Sequence, residues 1–447
     1  MTIKTNLNSP PGPRGLAQPR LLLAFRRDPA GFLLKLAERY GDVVHFKLGG
    51  QPVYLLRHPD DVENVLVTNA RNFLKGRRLQ ATKPLLGEGL LTSEDALHLR
   101  QRRLIQPIFH RQHIAGYGQT MVEQAARLSA RWRDGETRDL AADMMALTMI
   151  IVGKTLFGAD VESEAPEIGH AMQTLVDSFT IVAGPFANLA ERLDLPSVRR
   201  ARQAVDRLNA TVYRMIGERR ATGDKGDLLS MLLAAQDEDG SGGMTDQQVR
   251  DEAMTLFLAG HETTANALTW TWHLLSQNPT AEVRLHAELD GVLGGREPTV
   301  DDLPRLTYTR RVLSESMRLY PPAWIMGRTA IHPFEAQGYT IPASASIILS
   351  QWVMHHNPAY YPDPFKFDPE RWTPEAQAAR PKFAYFPFGA GPRLCIGEPF
   401  AWMEGLLILA TLAQHWHMRP VPTHQVKLQP VITLRSKDGM RMTLKRR

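Results

Sequence analysis

Residues 386–400 read FPFGAGPRLCIGEPF, and they hold the only cysteine of the 447-residue chain, Cys395. Gly389, Gly391 and Gly397 surround it, Arg393 lies two residues before it, and a helix is predicted to begin just after it. Each feature has a use if a thiolate ligates a metal held in a flat ring. The glycines let the backbone come close to the ring where a Cβ would collide. Amides at the start of the following helix, with its dipole, favour the anionic sulfur. Arg393 is placed to pair with a carboxylate on the ring. A free cysteine is more often an inert small hydrophobe, so the argument rests on the residues around it.

Outward from this loop, the composition is that of a globular protein: 43% hydrophobic, 22% charged, with 33 Gly and 31 Pro spread along the chain. Length alone would suggest two or three domains. No internal repeat and no linker appears, however, so one large mixed fold over residues 1–447 is expected. The net charge of +6 is mild and scattered, which argues against nucleic acid and leaves room for a weak encounter with an acidic protein. The N-terminus is polar and Pro-rich, and the apolar run 21–25 is too short for a signal or a membrane span. No export or anchor is therefore expected. A single cysteine forms no intrachain disulfide, which suits a reducing, cytoplasmic setting.

Residues 28–70 read as a helix over 32–39 followed by short strands at 43–46 and 53–56 around Gly49-Gly50. Helical text dominates from Ser93 to His113, with breaks at Pro107 and Gly116, and continues through 121–132 and 140–157. Residues 237–245 form the clearest loop, and Thr245 with Gln248 can make a capping box. About 33 residues can then run as one helix of ~50 Å before Asn278-Pro279. It is too apolar to lie on a surface, and Glu262, Thr263, Thr264 and Asn266 at its centre argue for burial beside something polar. Strands are predicted at 329–331, 339–342 and 347–349, then a helix from Glu398 to His415 and a β-rich tail.

Within the long helix stands Ala259-Gly260-His261-Glu262-Thr263-Thr264. Glycine there costs ~1 kcal/mol relative to alanine, and close helix packing is one reason for it. The adjacent acid and hydroxyls offer another, since a Thr hydroxyl that leaves the backbone ladder can hold water or dioxygen while an acid relays protons. Glu315 and Arg318, three apart on a predicted helix, share a face. Most such pairs are solvated and worth little.

Taken together these segments resemble the cytochromes P450, in their soluble bacterial branch. Phe388, Gly391, Arg393, Cys395 and Gly397 match every fixed position of that family's haem-binding signature, Phe-x-x-Gly-x-Arg-x-Cys-x-Gly. Residues 259–264 resemble its oxygen-activation stretch, and Glu315, Arg318 and the later Arg371 resemble its buried structural trio. The resemblance runs from Pro-Pro-Gly-Pro at 10–13 to the tail. It implies a mainly α fold with a smaller β region, a triangular helical prism whose long central helix lies over haem b. Residues 28–70, 325–355 and the tail would make the β-rich lobe.

The same resemblance implies roles. Cys395 would be the axial iron ligand, with Phe388, Gly389, Gly397 and Ala259 against the cofactor. His98, Arg102, Arg328 and Arg393 would meet its carboxylates, although each could instead serve as a surface cation. Thr263 would line the dioxygen groove and Glu262 deliver protons, while the variable His261 stays a helix residue. Leu256, Ala259, Thr263, Ala323, Trp324, Ile325, Met326, Ile432, Thr433 and Leu434 would contact substrate, and most are apolar, so a hydrophobic substrate is expected. The reaction implied is insertion of one oxygen atom from dioxygen, by hydroxylation or epoxidation, in a monomeric enzyme. Its electrons would come from a separate ferredoxin or flavodoxin and that carrier's NAD(P)H reductase, since no flavin, iron–sulfur or nicotinamide segment follows residue 447. A peroxygenase or isomerase is disfavoured by the Glu262-Thr263 pair, and a haem sensor or electron carrier by the same pair and the length of the chain.

Overall fold

Asp28 opens the first fully described helix, Pro29–Tyr40, by accepting a hydrogen bond from the Gly31 amide at 2.9 Å, and Gly41 at φ 96° ends it. Beyond it the two short strands expected around Gly49 and Gly50 pair as a hairpin, Val43–Leu48 antiparallel to Gln51–Leu56. In the computed structural model the described residues are 9–13, 18–110, 114–158, 165–182, 192–235 and 242–447. The 237–245 loop and the 93–113 helical stretch fall partly outside them. The chain divides into two compact units.

The first unit comprises Met1–Ala81, Arg318–Lys366 and Pro374–Cys395. Its centre is a five-stranded sheet in which Gln51–Leu56 runs parallel to Ser346–Leu349, which in turn pairs with Met326–Ala330, and that with Phe73–Lys75. Alternating apolar residues of these strands, Val43, Tyr54, Leu56, Phe73, Ile347 and Leu349, join Leu66, Phe334 and Phe386 in one core. Each fully buried side chain of this size contributes roughly 1.5–3 kcal/mol. Phe73 and Phe334 meet edge to face with ring centroids 4.9 Å apart.

The second unit comprises Thr82–Met317, Phe367–Thr373 and Ile396–Arg447. Its axis is the helix Asp246–Gln277, 32 residues long, opened by the reciprocal Thr245–Gln248 cap and closed at Asn278 before Pro279. Helices Leu140–Leu156 and Glu398–Ala413 pack along it. Its interior Thr269 and Thr271 turn their hydroxyls back to the carbonyls of Ala265 and Ala267, 2.7 Å each, which is how a polar side chain survives in that core.

The last long helix stops at Ala413 rather than His415, because Trp416–Pro420 is drawn into a sheet beside Arg441–Arg446, whose other neighbour is Thr137–Asp139. Leu428–Pro430 and Leu434–Ser436 form a separate hairpin. The tail thus builds two small sheets within the second unit. Among the described residues no helix is long and apolar enough to cross a membrane.

Candidate active site

Two glycines shape the cysteine loop. Gly389 and Gly391 hold φ at 74° and 66°, a region that side-chain-bearing residues avoid. A Cβ on Gly391 would stand 1.9 Å from the Leu66 carbonyl oxygen, so this glycine answers to the turn Asn64–Thr68 of its own unit. A Cβ on Gly389 would meet Met326 Sδ at 3.7 Å, which brings an expected substrate residue beside the loop. The Cys395 amide donates to the Phe388 carbonyl at 3.0 Å and closes the loop, leaving Cys395 exposed. Three residues on, at Glu398, the last long helix begins, with Gly397 as its N-cap. A closed loop, required glycines, an accessible thiol and a half-buried Arg393 fit a haem-thiolate site. Arg328, almost buried in the strand Met326–Ala330, donates to the Gly327 carbonyl at 2.9 Å.

On the long helix every residue from Val249 to Leu275 is buried except Ala259, Gly260 and Thr263. Ala259 and Thr263 lie one turn apart on one face, and this face is the helix's accessible notch. Gly260 has a packing reason, since a Cβ there would press Val152 Cγ2 at 3.2 Å. Thr263 donates its hydroxyl to the Ala259 carbonyl at 2.8 Å. His261 is buried with Nδ1 2.7 Å from the Phe257 carbonyl oxygen, and burial lowers its pKa, which agrees with its reading as a helix residue.

Glu262 is 3% exposed, and its Oε1 receives Arg435 Nε and Nη2 at 2.7 Å each, together with the Thr433 hydroxyl. Arg435 Nη1 reaches Gln173 Oε1 at 2.8 Å, and Asn266 Nδ2 donates to Thr433 Oγ1 at 3.2 Å. Thr433, expected at the substrate surface, therefore directs its hydroxyl to the acid. Arg435 and Gln173 escaped the sequence reading. Glu262 and Asn266, four apart on one helix face, signal a polar partner there without naming it.

Of the other expected substrate residues, Ala323, Ile325, Met326 and Ile432 are half-buried, whereas Leu256, Trp324 and Leu434 are buried. The Trp324 carbonyl accepts from Ser350 Oγ at 2.9 Å. His98 is buried and Arg102 half-buried on the helix Asp95–Ile105.

Of the expected structural trio, Glu315 and Arg318 are buried and Arg371 is half-buried. Glu315, fully buried, accepts from the Asp368 amide at 3.0 Å and Trp372 Nε1 at 2.9 Å, with Arg371 Nε at 3.4 Å. Arg318, in the first unit, donates to the carbonyls of His355, Pro364 and Lys366 at 2.8, 2.6 and 3.0 Å. Both ends of the motif thus fasten chain turns.

Two further buried acids lie in the second unit. Glu252 accepts from the Leu90 amide at 3.0 Å, and burial pushes it up to about 8, with neighbouring Asp251 adding to the rise. Burial likewise pushes Glu404 up to about 8, offset only in part by the nearby Thr264 hydroxyl.

The cytochrome P450 family model matches residues 10–439. The chain is 44% identical to cyclooctatin synthase of Streptomyces melanosporofaciens over 95% of its length and 92% of that protein's. It is 41% identical to cyclooctat-9-en-7-ol 5-monooxygenase of the same organism, covering 90% of this chain and 87% of that one. Against pentalenene oxygenase of Streptomyces avermitilis the identity is 35%, covering 94% and 93%. The chain belongs to the cytochrome P450 family and is a haem-dependent monooxygenase, inserting one atom of dioxygen into a hydrophobic organic substrate with electrons from a redox partner.

Proposed function

We propose that the cofactor is haem b, ligated by the Cys395 thiolate, and that the whole chain acts as one monomeric domain in the cytoplasm. The observation that carries the ligand assignment is the exposed thiol of the chain's single cysteine, at the end of a loop closed by its own amide. Arg393, Arg328, Arg102 and His98 pair with the haem carboxylates, each as a charge-assisted donor. Phe388, Gly389, Gly397 and Ala259 give the ring its apolar contacts. Bound haem supplies the redox chemistry, in which an electron-rich thiolate favours heterolysis of the O–O bond.

The chain's own part is proton handling and exclusion of water. Thr263 must turn its hydroxyl from the Ala259 carbonyl to hold a proton for dioxygen, giving up a bond worth about 1 kcal/mol net. Glu262 moves a proton towards that hydroxyl as its carboxylate loosens from Thr433 and Arg435. Ala323, Ile325, Met326 and Ile432, half-buried and mostly apolar, take up the substrate together with Leu256, Trp324 and Thr433. Such a lining suits a largely hydrocarbon ring compound with at most a hydroxyl, oxidised by hydroxylation or epoxidation. The -ene and -ol names of two relatives support that choice. A ferredoxin or flavodoxin with its NAD(P)H reductase supplies the electrons, and the net charge of +6 favours an acidic carrier.

The test is spectroscopic. Cys395→Ser should abolish the red-shifted Soret band of the reduced carbonyl complex, and an unchanged band refutes the ligand assignment. Thr263→Ala should keep the band while diverting electrons from product to peroxide; unaltered coupling would remove Thr263 from proton handling.

A further inference from the structure

Helix Pro279–Leu293 and strand Trp416–Pro420, both in the second unit, bring Glu282, His286 and His417 together. Glu282 and His286 are four apart and project from one helix face. One ligand atom from each of the three residues lies within 4.8 Å of the others. Glu282 and His286 are 3% and 5% exposed, while the His417 side chain is 26% exposed. The two imidazoles cross edge-on with centroids 4.7 Å apart, and His417 Nδ1 stands 3.3 Å from Glu282 Oε1.

Arg419 grips the carboxylate, Nη1 to Oε1 at 2.9 Å and Nη2 to Oε2 at 2.8 Å, and Nη2 also lies 3.3 Å from His417 Nδ1. Arg447, paired with Asp290, is a further cation close to His286. These contacts provide for Glu282 and His417. They leave His286 Nε2 buried with no hydrogen-bond partner among the described residues, a costly state for a ring nitrogen.

We propose that Glu282, His286 and His417 form a site for a divalent transition cation of the Zn2+ class, with Arg419 as the competitor that holds the carboxylate when no metal is bound. Two imidazole nitrogens and one carboxylate oxygen are the donors such an ion takes, with water in the fourth position. Metal–ligand bonds of about 2.0–2.1 Å put tetrahedral ligands roughly 3.4 Å apart. The three atoms therefore close by less than about 1.5 Å, a matter of side-chain rotation. The exposed edge of His417 gives the ion access. His286 is ready without losing a proton: burial, with Arg447 and His417, lowers its pKa to about 4 against the pull of Glu282 and Asp290. Occupancy would clip the helix to the tail sheet, so its readout is metal content and stability rather than turnover.

The experiment titrates Zn2+ alone into the untagged, haem-loaded enzyme at pH 7.5, by calorimetry and by metal analysis after dialysis. One ion per chain with a Kd on the order of micromolar is expected. His286→Gln, which keeps the volume of the side chain, and His417→Ala should each weaken binding more than ~10-fold, since losing a ligand costs more than losing a ligand's hydrogen-bond partner. Arg419→Gln should tighten binding, because it removes the competitor. No stoichiometric ion at 100-fold the expected Kd overturns the proposal. So does binding that these variants leave unchanged.

Discussion

Glu252 and Glu262 are the same residue on the same helix, ~15 Å apart at 1.5 Å per residue, and both are buried, at 0% and 3% exposure. They differ in what faces them. Glu262 meets a buried guanidinium and a hydroxyl, from Arg435 and Thr433. Glu252 meets a single amide, that of Leu90, and burial keeps it protonated up to about pH 8. A buried charge requires a partner or must neutralise, and the helix holds both solutions. Glu252 is a neutral pin that fastens the segment around Leu90, next to Asp251, which accepts from the Glu88 amide at 2.8 Å. Glu262 keeps a charged partner, Arg435, and is the acid to which the proposed function gives proton exchange.

The contrast breaks most visibly at Arg435. Removing one member of a buried pair strands the other, at a cost of about 3–5 kcal/mol. Arg435→Met should destabilise the haem-loaded enzyme by that much in urea unfolding. Combining it with Glu262→Gln should recover most of the loss, because no uncompensated charge remains. A cost under ~1 kcal/mol for the single variant, or no recovery in the double, would show that the pair does not act as a unit.

At Glu252 the sign runs with pH. The unfolded carboxyl titrates near 4.3 and the folded one at about 8, so the fold binds the extra proton between those values. Its stabilising contribution is complete below the lower value and is lost as pH rises through the upper one, with a slope of up to about 1.4 kcal/mol per pH unit. Glu404, raised to about 8 by the same burial, adds a slope in the same direction. Unfolding free energies should therefore fall from pH 5 to pH 8, and Glu252→Gln, which retains an acceptor for Leu90, should flatten the curve. An unchanged slope in that variant would mean that Glu252 is not the neutral pin described.

Of the two acids the sequence singled out Glu262 alone, and the difference between them was not legible. The long helix was legible because its signals are local: Thr245 and Gln248 three apart, no proline before Pro279, apolar residues on every face. The two strands flanking Gly49-Gly50 and the cysteine loop were legible for the same reason, although the pairing of the strands was not read. The partners of the acids are not local. Arg435 lies 173 residues from Glu262 and Leu90 162 from Glu252, separations over which no periodicity carries information. Gly391 is a mixed case. Its need for glycine is plain in the sequence, yet the atom that enforces it, the Leu66 carbonyl oxygen, comes from a turn that nothing near residue 391 announces.

The smallest effect lies one bond beyond the pair. Gln173, exposed on the helix Ala165–Val182, accepts from Arg435 Nη1 at 2.8 Å and donates to Asp177 Oδ1 at 2.8 Å. Water can replace an exposed amide, so the guanidinium keeps its carboxylate when the amide is gone. Gln173→Ala should cost only about 0.5–1 kcal/mol in the same unfolding assay. It should also leave the coupling of electrons to product within about twofold of wild type. A loss equal to that of Arg435→Met would mean that the guanidinium is positioned from the Gln173 helix rather than by Glu262. The charge on the long helix would then depend on a surface contact, and the distinction between its two acids would rest on Gln173 instead of on burial.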